Sequence, residues 1–286
     1  MEKIKVSEIF YSAQGEGRFI GVPSVFFRTF GCNFKCAGFG LERGEKTTEP
    51  DEIGKVVHLY KSFMDLPLAK TGCDSYASWH PAFKHLSPSY STEEAIDAML
   101  ALTPNNKWAQ DNGNDVHLVI TGGEPLLGWQ QLYPELLAHS RMQDLRNLTF
   151  ETNGTQHLHS EFKYFLKDNY HIGYNNITFS VSPKLSASGE IWEDAICPDV
   201  VREYQQVGFV YLKFVVDRIE DFEEVDRAVK AYRQAGVTGP VYVMPVGGTD
   251  EAYFNNAKHI ADIALERGYR YSPRLHVDIW SNGWGK

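Results

Sequence analysis

Apolar and polar positions alternate along the chain in two distinct rhythms. Short runs rich in Val, Ile, Phe and Tyr predict β-strands: KVSEIF at 5–10, SVFFRTF at 24–30, VHLVIT at 116–121, NLTFET at 147–152, NITFSV at 176–181, YLKFVVD at 211–217, VYVMPV at 241–246 and RLHVDIW at 274–280. Between most of them, apolar residues recur every three or four positions. STEEAIDAML sets Ser91 and Glu94 in capping-box spacing and puts Ile96, Met99 and Leu100 on one helical face. WQQLYPELLAHS, DFEEVDRAVKAYRQAG and EAYFNNAKHIADIALERG predict further helices, the last two stopped by Gly236 and Gly268.

Largely apolar strands alternating with helices are what a parallel sheet covered by helices requires. The expectation is one α/β domain over residues 1–286, open or curled into a partial TIM-type barrel, with its chemistry at the carboxyl ends of the strands. One segment breaks the alternation. Residues 37–72 read as an insertion, within which DEIGKVVHLYKSFM predicts a helix despite Gly54.

Charge narrows the function. With 28 basic against 37 acidic residues and a net charge of -9, the chain is not expected to bind nucleic acid over a broad face, although a local basic pocket for an acidic small molecule is compatible. No stretch of eighteen apolar residues occurs and MEKIKVSEIF lacks a signal-peptide core, so the expected setting is the cytoplasm, away from membranes. In a reducing compartment the four cysteines, Cys32, Cys36, Cys73 and Cys197, point to metal binding or buried thiols rather than disulfides.

Two of these thiols begin a motif that the next residues leave unfinished. In GCNFKCAGFG at 31–40, Cys32 and Cys36 follow a strand, but Phe39 stands where a third cysteine is expected. A cluster that chelates an organic cofactor needs three thiolates and one open iron. Cys197 lies in ICPDVV between much later strands, whereas Cys73 in TGCDSYASW closes the insertion and is the better third ligand. The intervening 36 residues replace a two-residue link. The added loop-closure cost is roughly 2.5 kcal/mol, small beside the ~10 kcal/mol or more of metal-thiolate binding. Buried reduced thiols and a zinc site are the alternatives.

Three strand ends add to this rim. TGGEP at 121–125 offers backbone carbonyls and Glu124 to a cationic amino group, or is a plain Gly-Gly turn; ETNGT at 151–155 and SVSPK at 180–184 bring hydroxyls and amides. Together with EIFYSAQGEG at 8–17, VFFRTFGCNFKC at 25–36 and CDS at 73–75, these motifs resemble the 7-carboxy-7-deazaguanine synthase (QueE) family of radical S-adenosylmethionine enzymes. The matches run in order from about residue 5 to the late LHVDIW.

The resemblance implies a radical S-adenosylmethionine core, with a 4Fe-4S cluster, S-adenosylmethionine and magnesium as cofactors. It implies a ring contraction of 6-carboxy-5,6,7,8-tetrahydropterin to 7-carboxy-7-deazaguanine with loss of ammonia, on the route to queuosine-type 7-deazapurines. Cys32, Cys36 and Cys73 would bind the cluster; Gly122, Gly123, Glu124, Thr152, Ser180, Ser182 and Lys184 the S-adenosylmethionine; Gln14, Glu16, Arg28 and His276 the pterin substrate; Asp74 and Ser75 the magnesium. An electron donor such as flavodoxin or ferredoxin and a homodimer are also implied. Each assignment has a plainer counterpart: Arg28 as a structural ion pair, His276 as a core histidine, Gln14 and Glu16 as dressing of a glycine turn. Strand alternation alone does not decide which face Lys213 takes. Another radical S-adenosylmethionine reaction, or a non-catalytic metal-binding relative, are the competing readings.

Overall fold

The computed structural model describes residues 2–170, 176–247 and 250–286. In chain order its elements are β1 (Ile4–Ala13), β2 (Pro23–Thr29), α1 (Glu49–Lys55), β3 (Ser89–Tyr90), α2 (Thr92–Leu100), β4 (His117–Gly122), α3 (Tyr133–Leu137), β5 (Leu148–Thr152) and α4 (Ser160–Tyr164). There follow β6 (Ile177–Val181), α5 (Trp192–Ala195), α6 (Pro198–Tyr204), β7 (Phe209–Val216), α7 (Asp221–Gln234), β8 (Val241–Pro245), α8 (Asp250–Glu266), β9 (Arg270–Tyr271) and α9 (Leu275–Trp280).

The strands form one sheet in the order β3-β1-β2-β4-β5-β6-β7-β8-β9. From β2 to β9 neighbours are parallel, while β1 pairs antiparallel with both β2 and β3. The sheet stays open, giving the partial barrel of mostly parallel strands that the alternation predicts.

Successive strand residues point to opposite faces, and this sheet uses the two faces differently. Val25, Phe27, Leu118, Ile120, Phe150, Phe179, Leu212 and Phe214 pack under the helices in the main core. Their in-between neighbours Phe26, Arg28, Thr121, Glu151, Ser180, Lys213 and Val215 line a cavity on the other side. Lys213 therefore faces inward, the point that periodicity left undecided.

Local rules explain most boundaries. Ser91 and Glu94 form the expected capping box on α2, and Gly236 and Gly268 take the left-handed φ of +90° and +74° beyond α7 and α8. α3 is short and begins around Pro134, which has no N–H to give to a preceding turn.

Two expectations are corrected. RLHVDIW is not a strand: β9 already completes the edge, Pro273 cannot extend the ladder, and residues 275–280 form α9. Its β-branched and aromatic composition mimics a strand, yet only Val277 is fully buried while Ile279 is exposed, as on one turn of a surface helix. DEIGKVVHLYKSFM is helical only at its start, breaking after Lys55 into 3-10 turns at Val57–Leu59 and Phe63–Asp65. Gly54 is accommodated because a Cβ there would lie 3.0 Å from that of Ala82.

The insertion has its own apolar core. Ile53, Phe63, Leu66 and Ala69 pack with Tyr76, Ala77 and Phe83 from the segment that follows, and Trp284 joins them. Glu49 fixes the returning strand of chain, accepting from Lys70 N, Thr71 N and Thr71 Oγ1 at 3.0–3.1 Å.

Candidate active site

Loops at the carboxyl end of the sheet build the cavity, whose volume of about 760 Å³ lies in the range of small-molecule sites. The Cys32 loop is locked to the β4 turn by Glu124 N, which donates to Gly31 O at 2.7 Å, and to the turn after Cys73 by Gly31 N, which donates to Ser78 O at 2.8 Å. A Cβ on Gly123 would fall 2.4 Å from Gly31 O and 2.7 Å from Cys32 Cβ. Only glycine permits this approach, which is why a paired glycine sits beside the cysteine loop.

The long gap before the third cysteine closes through its own ends. Gly72 N donates to Phe39 O and Thr47 N to Ala37 O, both at 2.8 Å, so Cys73 returns beside Cys36. Cys36 takes a left-handed φ of +50°, and Glu190 holds that turn by accepting from Lys35 N at 2.9 Å and Cys36 N at 2.7 Å. Cys32, Cys36 and Cys73 thus share one small apolar cluster with Phe34, Phe39 and Ala195, and all three line the cavity. Cys197 lies elsewhere, against the main core.

Burial pushes the Cys32 thiol up to about 12 and the Cys73 thiol to about 11, and raises Cys36 well above its usual range. Lys184 opposes the shift at all three. Metal binding here must release the thiol protons. Three soft donors on one wall, with a cation beside them and open space in front, fit an iron-sulfur cluster. Among the described residues, no three His, Cys, Asp or Glu side chains form a cage for a single metal ion.

The residues expected around S-adenosylmethionine divide into two sets. Gly122, Gly123, Thr152, Ser180, Ser182 and Lys184 line the cavity. Ser182 Oγ accepts from Lys184 Nζ at 3.1 Å. Glu124 is not brought to the wall. It is buried beneath the rim, accepting from Thr152 Oγ1 at 2.8 Å, Asn153 N at 2.7 Å and Leu126 N at 3.0 Å. Burial lifts its carboxyl to about 7 against these bonds. Here it ties the β4 and β5 turns together.

Deeper in the cavity the charges interlock. The segment after β1 crosses the open face of the sheet: Gln14 Nε2 donates to Glu151 Oε1 at 3.1 Å, Gly17 N to Ser272 Oγ at 2.8 Å and Leu275 N to Gly15 O at 2.9 Å. Glu16 accepts from Lys213 Nζ and, at 3.2 Å, from Arg274 Nε, with His276 Nε2 at 3.8 Å. Burial raises the Glu16 carboxyl, but Lys213, then Arg274 and His276, outweigh it and hold it far below the usual range. His276 is held down at about 4 by burial and by the Arg274 charge, so its ring is neutral at neutral pH.

Arg28 is both ion pair and cavity wall. Its Nε donates to Glu8 Oε2 at 2.9 Å, across the β1–β2 register, and its Nη1 to Ser75 Oγ at 3.1 Å. Asp74 Oδ2 accepts from Arg274 Nη2 at 2.5 Å, and its Oδ1 from Ser75 Oγ at 3.3 Å. Asp74 and Ser75 are therefore engaged by guanidinium groups rather than arranged as oxygen ligands of magnesium, and the residues present do not fit that ion.

Sequence reading missed Glu8, Glu151, Glu190 and Arg274 and left Lys213 open. A signal existed for two of them: Glu151 and Lys213 are single charges inside otherwise apolar strands, whereas Glu8 shares β1 with Lys5. Glu190 and Arg274 stand in irregular backbone, where no period marks them.

No family model matches the chain. It is 30% identical over 285 residues to the 7-carboxy-7-deazaguanine synthase of Pyrobaculum aerophilum, covering 99% of this chain and 98% of the relative. The enzyme of the same name from Halobacterium salinarum is 29% identical, covering 98% and 91%. The crystal structure of QueE from Escherichia coli matches with a TM-score of 0.53 at 19% identity, over 96% of this chain and 95% of that one, a likeness of fold. Among the described residues no helix is long and apolar enough to cross a membrane. With a 30% identical relative aligned over nearly the whole of both chains, the chain belongs to the 7-carboxy-7-deazaguanine synthase family.

Proposed function

We propose that this chain is a 7-carboxy-7-deazaguanine synthase that contracts 6-carboxy-5,6,7,8-tetrahydropterin to 7-carboxy-7-deazaguanine with loss of ammonia, a carbon-nitrogen lyase reaction. The observation that carries this is the sharing of one cavity by Cys32, Cys36 and Cys73 and by the charged group Glu16, Arg28, Lys213, Arg274 and His276.

Cys32, Cys36 and Cys73 would hold a 4Fe-4S cluster, with S-adenosylmethionine beside it in the same cavity. When bound, the pair would supply radical chemistry for hydrogen-atom transfer with the substrate. The chain's own residues position and shield. Gly122 and Gly123 let backbone approach the amino end, and Lys184 sets a cation beside the thiolates. Thr152, Ser180 and Ser182 offer hydroxyls along the same rim.

For the substrate, Gln14 and Glu16 present an amide and a carboxylate to the pterin edge. Arg28, already ordered by Glu8 and Ser75, meets a carboxylate without a further ordering cost. His276, neutral beside Glu16, can accept or donate one proton at Nε2. The reading includes a cytosolic setting, a homodimer and a small redox protein such as flavodoxin or ferredoxin as reductant. Magnesium is the one expected cofactor whose ligands are both held by guanidinium groups.

The test is mass spectrometry of an anaerobic reaction with reconstituted protein, reductant, saturating magnesium, S-adenosylmethionine and the carboxylated tetrahydropterin. Product over many turnovers with little S-adenosylmethionine consumed is expected. Release of 5′-deoxyadenosine without product would overturn the substrate assignment.

A further inference from the structure

The two residues matched to magnesium stand between two arginines. Ser75 Oγ accepts from Arg28 Nη1 at 3.1 Å and donates to Asp74 Oδ1 at 3.3 Å, while Asp74 Oδ2 receives Arg274 Nη2 at 2.5 Å. Arg274 is 5% exposed and fixed on every side. Its Nη1 donates to Gly247 O, its Nε to Glu16 Oε1 at 3.2 Å, and its backbone N to Tyr253 Oη at 3.1 Å.

Magnesium requires near-octahedral oxygen ligands at about 2.0–2.1 Å. An ion on the half-buried Asp74 would lie within about 4 Å of the charge of Arg274, which is itself buried, so the two like charges would repel. The anions around Asp74 are already paired: Glu16 and Asp74 face Lys213 and Arg274, and Glu8 faces Arg28, while Glu151 on β5 is met by Gln14 Nε2. A dication would add charge that no remaining carboxylate of these pairs meets.

We propose that Arg274 takes the place of a divalent cation in this chain, acting as a positioning residue that holds Asp74 and Glu16 and sets a fixed positive charge opposite Arg28 for a carboxylated substrate. The reaction then proceeds without magnesium. The turnover part of this inference rests on the proposed function; the metal-binding part does not.

Manganese(II), a paramagnetic stand-in for magnesium, is titrated into the purified protein with and without its cluster, and the free-ion resonance signal is followed. The wild-type chain is expected to leave that signal as buffer does. Arg274→Ala, by uncovering Asp74, is expected to bind about one ion per chain, and Asp74→Asn on that background to abolish it. Arg274→Lys keeps the charge and should remain free of manganese, which separates charge from misfolding. One ion per wild-type chain, removed by Asp74→Asn, would overturn the inference.

In chelator-treated buffer, adding magnesium should change wild-type product formation less than twofold. A stimulation of fivefold or more would also overturn it. If no product forms under any condition, the proposed function fails while the manganese titration still decides the role of Arg274.

Discussion

His276 shows how a single buried group ties site chemistry to stability. Its ring lies beside Glu16 and Arg274, and burial with the arginine charge lowers its pKa from 6.5 to about 4. A base whose folded pKa is depressed binds its proton less readily folded than unfolded. Stability is therefore complete above the ordinary pKa and is lost as pH falls from about 6.5 toward 4. Each pH unit in that window is worth about 1.4 kcal/mol. Denaturant unfolding of the wild type and His276→Gln at pH 7 and pH 5 should show the wild type losing about 2 kcal/mol relative to the variant. Glu16 titrates at lower pH in both and cancels; a constant difference between pH 7 and 5 would refute the assignment. The position of His276 was legible in the sequence only through LHVDIW as a family motif. Its partner Arg274 was not, because nothing in SPRLHVD announces a buried guanidinium.

At the scale of elements, the strands were legible because one face of each must be apolar, and the turn glycines because close approaches exclude other residues. RLHVDIW was misread for the same reason: Val, Ile and Trp favour strands, but a pairing edge, not composition, decides whether a ladder can form. The cysteine loop depends on its neighbours more than on its own spacing. Gly123→Ala forces a Cβ to within 2.4 Å of Gly31 O and 2.7 Å of Cys32 Cβ, and a backbone oxygen cannot swing aside as a side-chain tip would. Iron per chain after reconstitution is expected to fall to less than half that of the wild type, with the far-ultraviolet spectrum unchanged. Gly128→Ala, where an added methyl meets nothing within 4 Å, is the control and should load normally.

Over the whole molecule, the insertion is joined to the candidate site by its core as well as by its ends. Tyr76, Ala77 and Phe83 are fully buried, and Ile53, Phe63 and Leu66 cover them. Trp284 completes the contact, edge-on to Phe63 at 4.8 Å, with its Nε1 donating to Leu66 O at 2.7 Å. One residue on, Gly285 N donates to Glu8 Oε1 at 3.1 Å, so the same tail steadies the Glu8–Arg28 pair. Arg43 ties the other side to Asp221, whose carboxylate also receives Asp217 N at 2.7 Å. The sequence marked the segment as an interruption but gave no period from which this shared core could be read. An insertion that merely decorated the surface could be cut to a two-residue link without loss of iron. The packing predicts otherwise: excision uncovers Tyr76 and Phe83, and the shortened chain should collect in the insoluble fraction. Trp284→Ala is the milder form of the same test. Truncating a core tryptophan costs about 3–5 kcal/mol when fully buried, so about 3 kcal/mol is expected for this partly exposed one. Thermal unfolding should then fall by roughly 6–10 °C, with Trp284→Phe recovering part of the loss. A shortened chain that stays soluble and binds iron as the wild type does would show the insertion to be independent of the site.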